Sequence, residues 1–212
     1  IDWLNENHPS PAELTPNEPP TALNANRPEV SVVPLERGAT RSVGLIPQSV
    51  TGLPGTLWNG SDPGTLVQLI TDLPVEELPA MQSLLYKLLL AEAEQIPADR
   101  NAQALLLARI DKLITLGALE PALSLIEQAQ PEGSKELFSR WFDVSLLTGA
   151  EDTACAVMIR AAHLAPNYST RVFCAARAGG WQDAALMLES GHVLGLINDQ
   201  ENALLARFLE ID

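Results

Sequence analysis

The sequence predicts an all-α protein, a short α-solenoid of stacked helical hairpins preceded by an extended, proline-rich N-terminal arm. Three observations lead there. The segments LITLGALEPALSLIEQA, SLLTGAEDTACAVMIRAA and AARAGGWQDAALMLESG each hold a glycine followed five residues later by an alanine: Gly117 and Ala122, Gly149 and Ala154, Gly179 and Ala184. The glycines lie 32 and 30 residues apart, a period at which one helix-turn-helix unit stacks on the next. Twelve of the 16 prolines fall within residues 1–79, whereas the remainder carries apolar residues at helical spacing. In each unit the glycine closes the first helix in a left-handed or cramped turn. The alanine then lets the second helix approach the first closely.

The chain divides into residues 1–42, 43–79 and 80–212. Prolines fix φ and remove backbone donors, so 1–42 reads as an extended arm with Trp3, Leu4 and Leu14 as isolated apolar anchors. A short strand pair involving Val30, Val32 and Val33 is compatible with this region. Residues 43–79, beginning VGLIPQSVTGLPGTLW, are apolar and punctuated by turns, which suits a segment lying against the helical body. Ser61-Asp62-Pro63-Gly64 reads as a helix start, with an acidic or hydroxyl cap and proline in the first turn, leading into a short helix from Thr65 to Thr71.

From Pro79 onward about eight helices are expected. Met81, Leu84, Leu85, Leu88 and Leu89 form the first stripe, and Leu106, Ile110, Leu113 and Ile114 the next, ended by Gly117. Leu119, Ala122, Leu123 and Ile126 continue to the turn at 130–133. Phe138, Trp141, Phe142 and Leu146 make the bulkiest stripe, followed by Cys155, Met158 and Ala162, then Val172, Phe173 and Ala176. Trp181, Ala184, Ala185 and Leu188 come next, and Ala203, Leu204, Arg207 and Phe208 close the chain. Trp141 and Trp181 read as core, Trp58 as docked on its own body, and Trp3 as docked on the body or on a neighbour.

Composition narrows the function. Twenty-seven acidic against 13 basic side chains give a formal charge of −14, which repels nucleic acid and anionic lipid. No run of 18 apolar residues exists, so no membrane insertion is expected. The chain begins at Ile1, as a chain would after removal of a targeting segment or within a longer polypeptide.

Cys155 and Cys174 are the two cysteines. They fall on antiparallel neighbouring helices, 11 and 8 residues from Pro166 in the turn between them. That offset is about 4.5 Å of axial rise, which a disulfide spans if both side chains face the seam. A disulfide implies an oxidising compartment such as a periplasm; two buried free thiols in a cytosolic protein are the alternative.

Catalytic chemistry finds little support. His8, His163 and His192 share no metal-ligand spacing, and zinc and phosphate-loop motifs are missing. Glu76-Glu77, Glu92 with Glu94, and Glu151-Asp152 are paired carboxylates, but each sits at a helix start or on a charged face, where macrodipole complementation or solubility explains it. Ser49, Ser61 and Ser134 lack a nucleophile elbow. Asn59-Gly60-Ser61 and Asn167-Tyr168-Ser169 match the glycosylation sequon, a match that arises often by chance. No catalytic residue, metal or cofactor is expected.

The glycine near the turn, the alanine five residues on and Pro166 after the second helix resemble tetratricopeptide-like repeats over roughly residues 100–195. The helices are shorter than the family's, and its tryptophan and tyrosine landmarks are mostly missing. The resemblance implies a right-handed superhelix with a partner-binding groove and no catalytic residues. The stretch RVFCAARAGGWQDAALMLESGHVLGLI is similar to uncharacterised envelope proteins of alphaproteobacteria. Together these imply a periplasmic or secreted scaffold for other proteins, or for copies of itself in a ring, for example an accessory component of a flagellar motor. The rival expectations are the superhelical part of a peptidoglycan-active enzyme and a cytosolic chaperone-like adaptor.

Overall fold

The computed structural model describes residues 43–74, 79–94 and 100–210, which belong to one unit of the chain, Gly38–Asp212. Trp3, Leu4, Leu14, the valines at 30, 32 and 33, and Glu76-Glu77 lie outside the described residues. Among the described residues the fold is all-α. The helices are α1 (Gln48–Thr51), α2 (Pro63–Asp72), α3 (Pro79–Leu90), α4 (Arg100–Thr115) and α5 (Leu119–Gln128). They continue as α6 (Lys135–Thr148), α7 (Glu151–Arg160), α8 (Tyr168–Arg177), α9 (Trp181–Val193) and α10 (Asp199–Phe208). Single 3-10 turns at Pro131–Gly133 and Ala162–Leu164 link α5 to α6 and α7 to α8. No strand forms among these residues; Val43–Ala93 and Ile46–Ala91 are isolated bridges.

The α2 helix starts where its cap residues dictate. Asp62 accepts a hydrogen bond from the Thr65 amide at 2.8 Å, and Pro63 occupies the first turn, where a missing N–H costs nothing. That amide holds the Asp62 carboxyl below the usual carboxylate range.

The α4 helix is the hub, packed against α2, α3, α5 and α6. Ile110 and Leu113 are fully buried, and so, nearly, are two cations one turn apart, Arg109 and Lys112. Among the described residues both are satisfied by backbone carbonyls. The Arg109 guanidinium donates to the carbonyls of Leu89 (2.8 Å), Ala91 (3.1 Å) and Val43 (3.2 Å) and lies 5.6 Å from the Trp58 ring centre. The Lys112 ammonium donates to the carbonyls of Thr71 (2.9 Å) and Leu73 (2.7 Å). The last carbonyls of a helix lack intrahelical partners and carry the negative end of its dipole. Arg109 therefore closes the end of α3, and Lys112 closes the end of α2. Burial lowers the Arg109 pKa to about 10, so the side chain remains charged at neutral pH.

Three hairpins come after this, α4–α5, α6–α7 and α8–α9. Each turns on one of the repeated glycines, with φ of +73° at Gly117, +74° at Gly149 and +87° at Gly179. At the second, Ala150 donates to the Ser145 carbonyl at 2.8 Å and Gly149 to that of Leu146, so the last carbonyls of α6 are satisfied by the turn itself. Gly195 makes a fourth such turn after α9, at φ +70°. Ala122, Ala154 and Ala184, five residues after each repeated glycine, have no exposed surface. A Cβ added at Gly149 would meet no atom within 4 Å, so the cost of Gly149→Ala is purely conformational. A left-handed non-glycine residue costs about 1–2 kcal/mol, which for a chain of this size lowers Tm by a few degrees in a calorimetric melt. An unchanged Tm would count against this account of the turn.

The core has two parts. A long cluster runs from Val43 and Trp58 through α3–α7 to Cys174, and it includes Phe138, Trp141 and Phe142. A second cluster holds only five buried residues, Val172, Ala176, Ala184, Leu188 and Ile197, under α8–α10. The disulfide between Cys155 on α7 and Cys174 on α8, with Cα atoms 4.9 Å apart, ties the smaller part to the larger.

Several expected stripes are rotated. On α3 the buried residues are Leu85, Leu89 and Leu90, whereas Met81 and Leu84 are exposed. Five leucines and a methionine within ten positions surround this helix, so spacing alone cannot choose its inner face. Leu146 is exposed, and Ala162 falls in the 3-10 turn beyond the end of α7. On α10, Leu205, Ala206 and Leu209 pack inward, while Ala203, Leu204, Arg207 and Phe208 are exposed. Trp141 is buried, but Trp181, expected in the core, is 49% exposed. Among the described helices the main packing of α10 is on α8 and α9, and Trp181 and the α10 stripe stay outside the buried part of that contact.

Candidate binding surface

The titratable residues make no catalytic constellation among the described residues. Glu151 and Asp152 both accept from the Arg177 guanidinium, at 2.9 and 2.8 Å, which joins the start of α7 to the end of α8. Glu94 accepts from Asn59 at 3.3 Å. Asn167 caps α8, its side-chain oxygen accepting from the Thr170 amide at 2.8 Å. His163 is exposed, and His192 lies 3.8 Å from Asp199. No group of three or more His, Cys, Asp or Glu among the described residues could hold a metal ion. A cavity of about 150 Å³ lies beside the disulfide, lined by Met158, Ile159, Arg171, Cys174 and Met187. It is mostly apolar and has room for a single side chain, well below the size of ordinary ligand pockets.

The more informative feature is a run of four aromatic rings. Phe142 on α6 is fully buried and stands edge-on to Phe173 on α8, centroid to centroid 6.3 Å. Phe173 lies 5.4 Å from Phe208 on α10, and Phe208 lies 5.6 Å from Trp181 at the start of α9. The run thus leads from the main core to the surface, where Trp181 and Phe208 (37% exposed) are its outer members. Leu204, one turn before Phe208, is 67% exposed and extends the apolar patch along α10. Ring-to-ring contact holds Trp181 and Phe208 in place, so little rotamer entropy remains to be lost when a partner covers them.

The sequence around this patch is acidic. Between Trp181 and Glu210 stand Asp183, Glu189, Asp199, Glu201 and Glu210 against one arginine, Arg207. Elsewhere, Leu186 and Val193 on α9 and Leu194 just after it are about two-thirds exposed or more. A globular surface seldom leaves so much apolar area open without a partner for it.

The chain matches no protein-family model, and no curated protein or solved structure is significantly similar to it.

Of the residues singled out by sequence, the structure brings Cys155 and Cys174 together and places the three glycines and three alanines at the hairpins. Glu151 and Asp152 are instead paired with Arg177, and Glu94 with Asn59. Leu204 and Phe208, members of the stripe that closes the chain, are exposed. No helix among the described residues is long and apolar enough to cross a membrane.

Proposed function

We propose that this protein is a non-catalytic helical-repeat scaffold, an α-solenoid of stacked hairpins, that binds other proteins in a bacterial envelope assembly such as a flagellar motor or ring. The observation that carries this reading is the apolar surface at Trp181, Phe208 and Leu204, displayed on hairpins closed by left-handed glycines and stapled together by a disulfide. Stacked helical units offer preformed surfaces to partners. The disulfide is compatible with an oxidising compartment, hence with a periplasmic or secreted location. In this reading the segment 1–42, with Trp3, Leu4 and Leu14, lies along a neighbouring protein. Its prolines restrict the free chain beforehand, so it loses less freedom on binding than a glycine-rich linker would.

Deletion of residues 1–40 tests this. Helical circular dichroism and Tm should stay close to those of the full chain, because the described packing begins at Val43. In-cell crosslinking followed by mass spectrometry should recover envelope proteins with the full chain and lose them with the deletion. Loss of folding, or the same crosslinked proteins with and without residues 1–40, would refute the arm.

A further inference from the structure

We propose that the outer face of α9 and α10 is a docking site for an amphipathic helix that carries basic residues beside its apolar stripe. The inference rests on the scaffold reading and gives one of its surfaces a partner chemistry. Trp181, Phe208 and Leu204 supply the anchor positions. Tryptophan is among the side chains most enriched at the energetic centres of interfaces, and this one is half-exposed yet fixed by its neighbour. The electron-rich faces of Trp181 and Phe208 also favour a cation above them.

Charge selects among occupants. The stretch from Trp181 to Glu210 holds five acids and one arginine, and the whole chain carries −14. A second copy docked through the same face would set these acids against their own images, a repulsive arrangement in a two-fold contact. The chain's own segment 1–42 fits no better, because it holds six acids and three arginines. An apolar helix flanked by lysine or arginine meets both requirements at once: it covers the rings and carries charge opposite to that of this stretch of the chain. The same field would speed its approach at low salt.

Two synthetic helices of about 18 residues (five turns) with the same leucine stripe, one flanked by lysine and one by glutamate, test the site on the full-length, oxidised protein. Titration calorimetry should show the lysine peptide binding at least about tenfold more tightly, and weakening with salt. Trp181→Ala leaves the charge unchanged, so general attraction of a cationic peptide survives it while specific docking does not. Its affinity for the lysine peptide should fall by about tenfold or more. Leu204→Gln should act alike and serves as the second variant, with circular dichroism confirming that both fold. Equal binding of the two peptides, or undiminished binding by both variants, overturns the proposal. So does sedimentation showing a wild-type dimer that either variant dissociates, since the face would then belong to a second copy. A negative peptide result alongside positive in-cell crosslinking removes this site and leaves the scaffold reading standing; negative crosslinking alongside specific peptide binding does the reverse.

Discussion

Arg109→Ala is expected to destabilise the protein by about 3–5 kcal/mol, from buried carbonyls left without a donor and a cavity left in the core. The side chain is 4% exposed and serves three carbonyls from two segments, Val43 on one side and Leu89 and Ala91 on the other. Once it is gone, those oxygens lose their donor, at about 1–3 kcal/mol for each group left buried and unsatisfied. The substitution also opens a cavity beneath Trp58, whose indole N–H already has no partner among the described residues. Crowding leaves no room to compensate. At Gly44, next to Val43, even an added Cβ would overlap the Ala91 carbonyl, so the segment 43–46 has no freedom to move inward. Arg109→Lys keeps the charge but not the planar fork, and one ammonium cannot serve all three carbonyls, so it should recover only part of the loss. Urea unfolding of the two variants measures this directly. Less than about 1 kcal/mol lost in Arg109→Ala would mean that the guanidinium is a passenger and that the ends of α3 and of the 43–46 segment are held by packing alone.

That arginine also shows where sequence reasoning stops. Periodicity assigns charged residues to the wet side of a helix, and in RNAQALLLARIDKLIT it placed Leu106, Ile110 and Leu113 correctly while passing over Arg109 and Lys112. The α4 helix has neighbours on several sides, so it has little wet side to offer. A signal did exist elsewhere in the chain. The last turn of α2 holds no basic residue to satisfy its carbonyls, and a helix end without a local donor needs one from elsewhere. By contrast, the hairpin turns were legible because their cause is local: glycine alone adopts the left-handed turn freely, and a small residue fits where two helices touch. The disulfide was legible as one of two open readings, because turn length and helical rise constrain how far apart the sulfurs lie. The binding surface was not. The same pattern of aromatic and aliphatic spacing that buries Phe138 and Phe142 in mid-chain leaves Trp181, Leu204 and Phe208 exposed, since burial depends on how distant helices pack, which a local pattern does not reveal. Gly195 was missed for a related reason: it turns the chain as the other three do, but Gln200 stands five residues on where they have alanine.

Opening the disulfide should cost about 3 kcal/mol, the chain-entropy value for a closed loop near 20 residues, and lower Tm by roughly 6–12 °C. Cys155 and Cys174 are 19 residues apart in sequence. The loss should not fall evenly. Helices α8–α10 rest on five buried side chains of their own, Val172, Ala176, Ala184, Leu188 and Ile197, whereas α3–α7 share a core several times larger. A module with so small a core depends on its attachments, which include the packing of α8 on α7, the disulfide, the Arg177 pairs to Glu151 and Asp152, and the contact of Phe173 with Phe142. The ion pairs are partly exposed and contribute little, so the covalent link is the stronger of the two specific ties. In the Cys155→Ala, Cys174→Ala double variant, amide exchange should therefore quicken first in α8, α9 and α10, with α4 to α6 still protected. Uniform loss of protection, or melts that coincide with and without reductant, would contradict this division. Because Trp181, Leu204 and Phe208 are all carried by α9 and α10, the same reduction should weaken binding of the lysine-flanked helix before the protein as a whole unfolds. An oxidising surrounding would then do more than preserve the fold: it would keep the outer rings in the arrangement a partner meets.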